Sequence, residues 1–165
     1  IDFKKAASKL KEYFYVETVG DKDAMLDAVE NGKKGEFVFG MLYRDEGFFS
    51  LTLKDKKMLD DIIAQDKRYQ WKCLDVTILH QLIFDHILRV EEKVAKRENI
   101  VYTRETDYAT KLVDEEGYHI AFFLNPPRIE QIKDVARSHD RMPRKTTYFY
   151  PKPLSGFVFY KMEDL

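Results

Sequence analysis

The chain has 165 residues, 44% hydrophobic and 14% aromatic, enough to bury the core of one ordinary domain or two small ones. No apolar run approaches the roughly 18 residues that a membrane-spanning helix needs, so no membrane partner is expected. With 28 basic and 29 acidic residues the net charge is -1, and no overall field draws the chain to nucleic acid or to a membrane surface.

Phe3, Ala6, Ala7, Leu10 and Phe14 recur at helical spacing after Asp2, with Lys4, Lys5, Lys9 and Lys11 on the opposite face. The β-forming run Tyr13 to Val19 then predicts a strand that ends at Gly20. Asp21 or Asp23 caps a short helix with Met25, Leu26 and Val29 inward, and Asn31-Gly32 stops it. Phe37 to Tyr43 reads as a buried strand, and Arg44-Asp45-Glu46-Gly47 turns it into Phe48 to Leu53 to make a hairpin. Residues 55–65 carry Met58, Leu59, Ile62 and Ile63 on one helical face. After a junction at Trp71 to Leu74, Asp75 is placed as the N-cap of the longest helix, with Val76, Leu79, Leu82, Ile83, His86, Ile87 and Val90 on its apolar stripe.

Residues 91–98 are charged throughout most of their length and read as a connector. Ile100 to Thr103 follows as a strand, and Glu105 to Glu116 as a helix with Tyr108, Ala109, Leu112 and Val113 inward. His119 to Leu124 is a strand so apolar that a central position is expected. Asn125 is assigned as an N-cap, with Pro126-Pro127 in the first turn and Ile129, Ile132, Val135 and Ala136 facing the core. Phe157 to Tyr160 is the last expected strand. A weak internal echo of strand, Asp-led helix and strand runs from Tyr15 to Leu42 and again from Val101 to Leu124. The expected fold is α+β: a mixed β-sheet with packed helices, βαβ units in 99–160 and an antiparallel hairpin in 35–53. One domain is expected, with 91–99 as the place to divide it if it divides.

Chemistry-bearing residues are few. The lone cysteine, Cys73, excludes an intrachain disulfide and suits a reducing, cytoplasmic setting as an ordinary thiol. His80 and His86 lie six positions apart and off one shared stripe, and His119 opens an apolar strand, so all three read as structural. His139 ends a helix, where the dipole favours a cation, and its nearness to the basic loop keeps an acid or base role open. No Gly-rich phosphate loop, nucleophile elbow, CxxC pair or paired-carboxylate signature occurs. The chain alone is therefore not expected to be a complete enzyme, and catalytic residues stay unassigned, as does any metal ligand.

Positive charge is concentrated instead. Residues 126–153 hold seven cations (Arg128, Lys133, Arg137, Arg141, Arg144, Lys145, Lys152) against three acids (Glu130, Asp134, Asp140), a local +4. The segment Arg141 to Gly156 adds three prolines, the hydroxyls of Thr146 and Thr147 and the aromatics Tyr148, Phe149 and Tyr150. The prolines stiffen it into a loop, and stiffly held donors suit a phosphate or carboxylate. The candidate anion site is Arg141, Arg144, Lys145, Thr146, Thr147, Tyr148, Tyr150 and Lys152. The rival reading makes Tyr148-Phe149-Tyr150 a core plug and the cations its solvated rim. Base stacking by the three aromatics is the weakest reading, given the balanced net charge.

Met142-Pro143-Arg144-Lys145-Thr146-Thr147-Tyr148-Phe149-Tyr150-Pro151-Lys152, with Leu154 and Gly156 following, resembles the C-terminal signature of the family called domain of unknown function 1015. That signature usually reads M-P-x-K-S-T-Y-F-Y-P-K. The resemblance to the family extends upstream through Leu74 to His80 and Phe123 to Gln131; departures are Thr146 in place of the usual Ser and Pro127 where Thr is common. The resemblance implies a longer cytoplasmic protein whose first half carries an Asp-Gly-His-His-Arg-like motif. Such a motif is similar to the site of free-serine kinases related to the ParB and sulfiredoxin group, and no such run occurs in this chain. Together with the opening on Ile1, this leads to the expectation of a C-terminal portion that contributes a phosphate-binding loop to a small-molecule, serine kinase-like phosphotransferase. No cofactor is then expected in the chain itself; ATP or ADP with Mg would bind the full-length protein, and the N-terminal half would be the main partner. The alternative is a non-catalytic structural or protein-interaction module.

Overall fold

The computed structural model of the protein describes residues 3–32, 36–63, 66–90, 100–143 and 146. Helix α1 (Phe3–Tyr13) leads directly into strand β1 (Phe14–Val19). The Asp21 carboxylate accepts from the Ala24 N–H at 2.8 Å to start α2 (Lys22–Glu30), and the Asn31 N–H closes it on the Asp27 carbonyl. Strands β2 (Val38–Tyr43) and β3 (Gly47–Leu53) form the expected hairpin, its turn allowed by positive φ at Asp45 and Gly47.

The 55–65 segment is shorter and more broken than its periodicity suggested. The Asp55 carboxylate accepts from the Lys57 N–H and tightens Lys56–Met58 into a 3-10 turn before α3 (Leu59–Ile62). The expected junction contains a helix, α4 (Tyr69–Lys72), on which Lys72 is buried with its ammonium 3.1 Å from Asp60 Oδ1. Helix α5 opens as Asp75–Thr77 and runs on as Ile78–Leu88 with wider π winding. Asp75 is its first residue and not its cap, because Leu74 takes the extended capping position. No proline or glycine interrupts Asp75 to Leu88, so the wider winding has no local sequence cause.

Beyond Val90, residues 91–99, including the expected connector, lie outside the described residues. Ile100 to Thr103, expected as a strand, pairs with no described strand; Tyr102 is 53% exposed and its ring lies 6.0 Å from that of His80. Helix α6 (Thr106–Asp114) buries Leu112 and Val113 but leaves Tyr108 exposed. Strand β4 (Ile120–Phe123) then leads to α7 (Ile129–Arg137). The expected last strand at Phe157 to Tyr160 is outside the described residues.

The described strands form one sheet in the order β1-β3-β2-β4, antiparallel at every pairing. The α+β class holds, and the parallel βαβ pairing that a mixed sheet would need is not among the described strands. Helices cover both faces. On one, α1 and α5 pack over Phe14, Phe39, Met41, Phe49, Leu51 and Leu53; on the other, Met25 of α2 and Val113 of α6 meet Leu42 and Phe123. All six residues of β2 are buried, since that strand has two neighbours and two covered faces. The central place expected for β4 belongs to β2: β4 pairs only with β2 among the described strands and is half-buried over most of its length. The echo survives as a helix followed by a strand, α2–β2 and α6–β4, whose strands are neighbours and whose helices share a face.

The approach to α7 departs most from expectation. Asn125 is not its cap: the side-chain amide donates at 2.7 Å to the Val29 carbonyl, an end group of α2. Two consecutive prolines hold the preceding backbone extended, so the helix begins only after Arg128, whose N–H bonds Gln131 Oε1 at 2.8 Å. Since α7 packs chiefly on the four-residue α4, it needs only a narrow apolar stripe; Val135 is buried, while Ile129 (64% exposed) and Ala136 face out. His139 closes the helix at φ 60°, its N–H on Ala136 O and that of Asp140 on Val135 O. A left-handed residue with a Cβ costs about 1 kcal/mol more than glycine. His139→Gly should therefore stabilise the protein by about that amount in urea titrations; an unchanged midpoint would contradict this account.

Candidate functional site

Of the eight candidate anion-binding residues, Arg141 and Thr146 fall in the described chain, and Arg144, Lys145, Thr147, Tyr148, Tyr150 and Lys152 lie outside the described residues, as does Phe149. Arg141 is exposed, and its carbonyl accepts from the Trp71 indole N–H at 3.0 Å. The Thr146 hydroxyl donates to the Pro143 carbonyl, so its proton is engaged in a local turn rather than offered to a ligand. Asp140 is bound to Lys67 at 3.2 Å, with its other oxygen 3.5 Å from the Arg68 N. The stem of the basic loop is thereby fastened to α4 and the residues before it.

The histidines are placed structurally. His86 shares a 2.9 Å hydrogen bond with the Tyr13 hydroxyl, tying α5 to α1. His80 packs edge-on against Phe84, and burial lowers its pKa, which keeps the ring neutral at pH 7. The His119 carbonyl accepts from the Arg44 N–H. Cys73 is half-buried beside Tyr69; burial pushes its thiol up, and the hydrogen bond to the thiol, with burial second, pushes the Tyr69 hydroxyl up to about 12. A protonated thiol in that setting is a poor nucleophile. Among the described residues no group of three or more His, Cys, Asp or Glu is placed to hold a metal ion.

Sequence reasoning missed a groove at the start of α7. Its first lobe, about 260 Å³, lies between the C-terminal end of α2 and the N-terminal end of α7, with Glu30, Glu36, Asp75, Asn125, Arg128 and Gln131 in its lining. A second lobe of about 240 Å³ shares Glu36, Phe37, Arg128 and Gln131 and adds Lys56, Tyr69, Cys73 and Asp134. Gln131 is braced from below, its amide nitrogen 3.4 Å from the Cys73 carbonyl. The Asp75 carboxyl is pushed up to about 6 by burial, and Arg128 pulls against that shift without overcoming it. A carboxyl that titrates near neutrality in a cleft can hold or exchange a proton there. Two separate motifs meet there: Leu74 to His80 contributes Asp75, and Phe123 to Gln131 contributes Asn125, Pro126, Arg128 and Gln131, and nothing in the sequence alone brings them together.

Comparisons with models of protein families, with curated proteins and with solved structures gave no match to this chain.

Proposed function

We propose that this chain is a C-terminal portion that supplies anion contacts to a small-molecule phosphotransferase of the kinase kind. In this reading the basic loop from Arg141 to Lys152 holds a phosphate group. ATP or ADP with Mg is bound mainly by an N-terminal half in a cytoplasmic setting. The observation that carries the reading is the meeting, at one groove, of the two upstream segments that share the family resemblance with the loop motif. The cationic stretch sets out from that groove at Arg128, and α7 ends in a stem fastened back onto α4 and its approach. Phosphoryl transfer needs positioning and charge neutralisation more than covalent groups, which suits a chain without a nucleophile motif.

A thermal-shift titration of the chain with phosphate, ADP and ATP, beside Lys145→Ala and Lys152→Ala, tests this. Stabilisation that either substitution abolishes is expected. No response, with both variants folded and equally stable, would remove the anion site from this chain. The rival reading, a non-catalytic interaction module with a plugged loop, draws on the same fastening of Asp140 and Arg141. It requires Tyr148→Ala or Phe149→Ala to destabilise the chain while phosphate has no effect.

A further inference from the structure

Asp75 and Arg128 line the same lobe, on elements far apart in sequence, and the guanidinium is near enough for its charge to act on the carboxyl. They nevertheless form no ion pair with each other. Opposite charges that line one cleft of about 260 Å³ without pairing can each be met by a third group bound there. The surroundings are bipolar in the same sense. Glu30 ends α2, where the helix dipole is negative, while Arg128 precedes α7, where it is positive; both helices have nine residues. Between these ends the wall is apolar, formed by Val29, Phe37, Val38 and Pro126. The cleft is smaller than the pockets that hold drug-sized molecules.

We propose that this lobe binds a small zwitterion, its ammonium on Asp75 and its carboxylate on Arg128. A cation alone would meet Arg128 unpaired, and an anion alone would meet three carboxylates (Glu30, Glu36 and Asp75). A zwitterion satisfies both charges without importing net charge. The proposal does not rest on the phosphotransferase reading, because neither side chain belongs to the 141–152 loop. It also explains why a costly carboxyl is kept in the cleft: a bound ammonium supplies the partner that Arg128 does not. The groups facing Asp75 across the lobe are Glu30 from α2, Glu36 ahead of β2 and Arg128 ahead of α7. A bound ammonium favours the ionised carboxyl, so affinity should fall as the pH drops below about 6.

Isothermal titration of the whole chain with glycine, 4-aminobutanoate and 6-aminohexanoate decides the matter, with butane-1,4-diamine and succinate as single-sign controls. At pH 7.5 at least one amino acid should bind roughly tenfold or more tightly than both controls, and Asp75→Asn and Arg128→Gln should each weaken it about tenfold or more. The chain length preferred reports the gap. Should Asp75→Asn fail to fold, Arg128→Gln and the binding measured at pH 5 carry the test. The proposal is overturned if no amino acid binds, if the diamine or succinate binds as well, or if folded variants bind unchanged.

Discussion

Asp75→Asn should make the protein more stable at pH 7.5 by about 3 kcal/mol and leave its stability at pH 4 nearly unchanged. The carboxyl is raised from its ordinary 3.8 to about 6, chiefly by burial, so ionising it costs more in the folded chain than in the unfolded one. Between those two values the folded state binds the extra proton, and stability therefore declines as the pH rises. The contribution is intact below about 4, is lost through about 6 and stays lost at neutrality. Asparagine keeps the shape and removes the charge. Urea melts of both proteins at pH 4.0 and 7.5 measure the difference, and a variant equally destabilised at both would show that Asp75 is held by contacts instead. A group that weakens the fold at neutral pH while lining a cleft is what a trade of stability for binding looks like.

Gly40→Ala should cost about 2 kcal/mol, although the backbone there is ordinary for any residue. Gly40 lies in the fully buried β2, opposite Phe123 of β4 and beneath Met25 of α2. An added Cβ would stand 2.7 Å from Met25 Sδ, 2.9 Å from its Cγ and 3.1 Å from Phe123 Cβ. Met25 is itself fully buried, so it has no free space to retreat into. Met25→Ala alone should cost about 2–5 kcal/mol through the cavity it leaves. The two changes together should cost less than their sum, because each relieves the other. A double-mutant cycle in urea reads the coupling, and strict additivity would count against this contact.

Local chemistry made several elements legible. Asp21 and Asn31 bracket α2, and the Asp45 and Gly47 turn joins the hairpin, because caps and turns act within a few residues. Strand order was not legible. β2 and β4 are both short apolar runs, and which lies inside depends on neighbours that arrive from elsewhere in the chain. Likewise the Pro126-Pro127 pair suits either a first helical turn or an extended approach, and the choice is made by a bond from Asn125 to α2. The groove was hidden for the same reason. Asp75 reads as a cap and Arg128 as one cation among seven until folding sets them in one lobe and takes water from the carboxyl.

The Asn125 bond to Val29 has a thermodynamic consequence for whatever enters that lobe. It braces the end of α2, which carries Glu30, to the stretch leading into α7, which carries Arg128, while Asp75 reaches the same lobe from α5. Gln131, held on the Cys73 carbonyl, braces the floor in the same way. An occupant therefore meets backbone walls braced by folding, and its ordering cost falls on the exposed Arg128 side chain rather than on the backbone. Even a molecule with few atoms, and few contacts to offer, can bind selectively to such a frame.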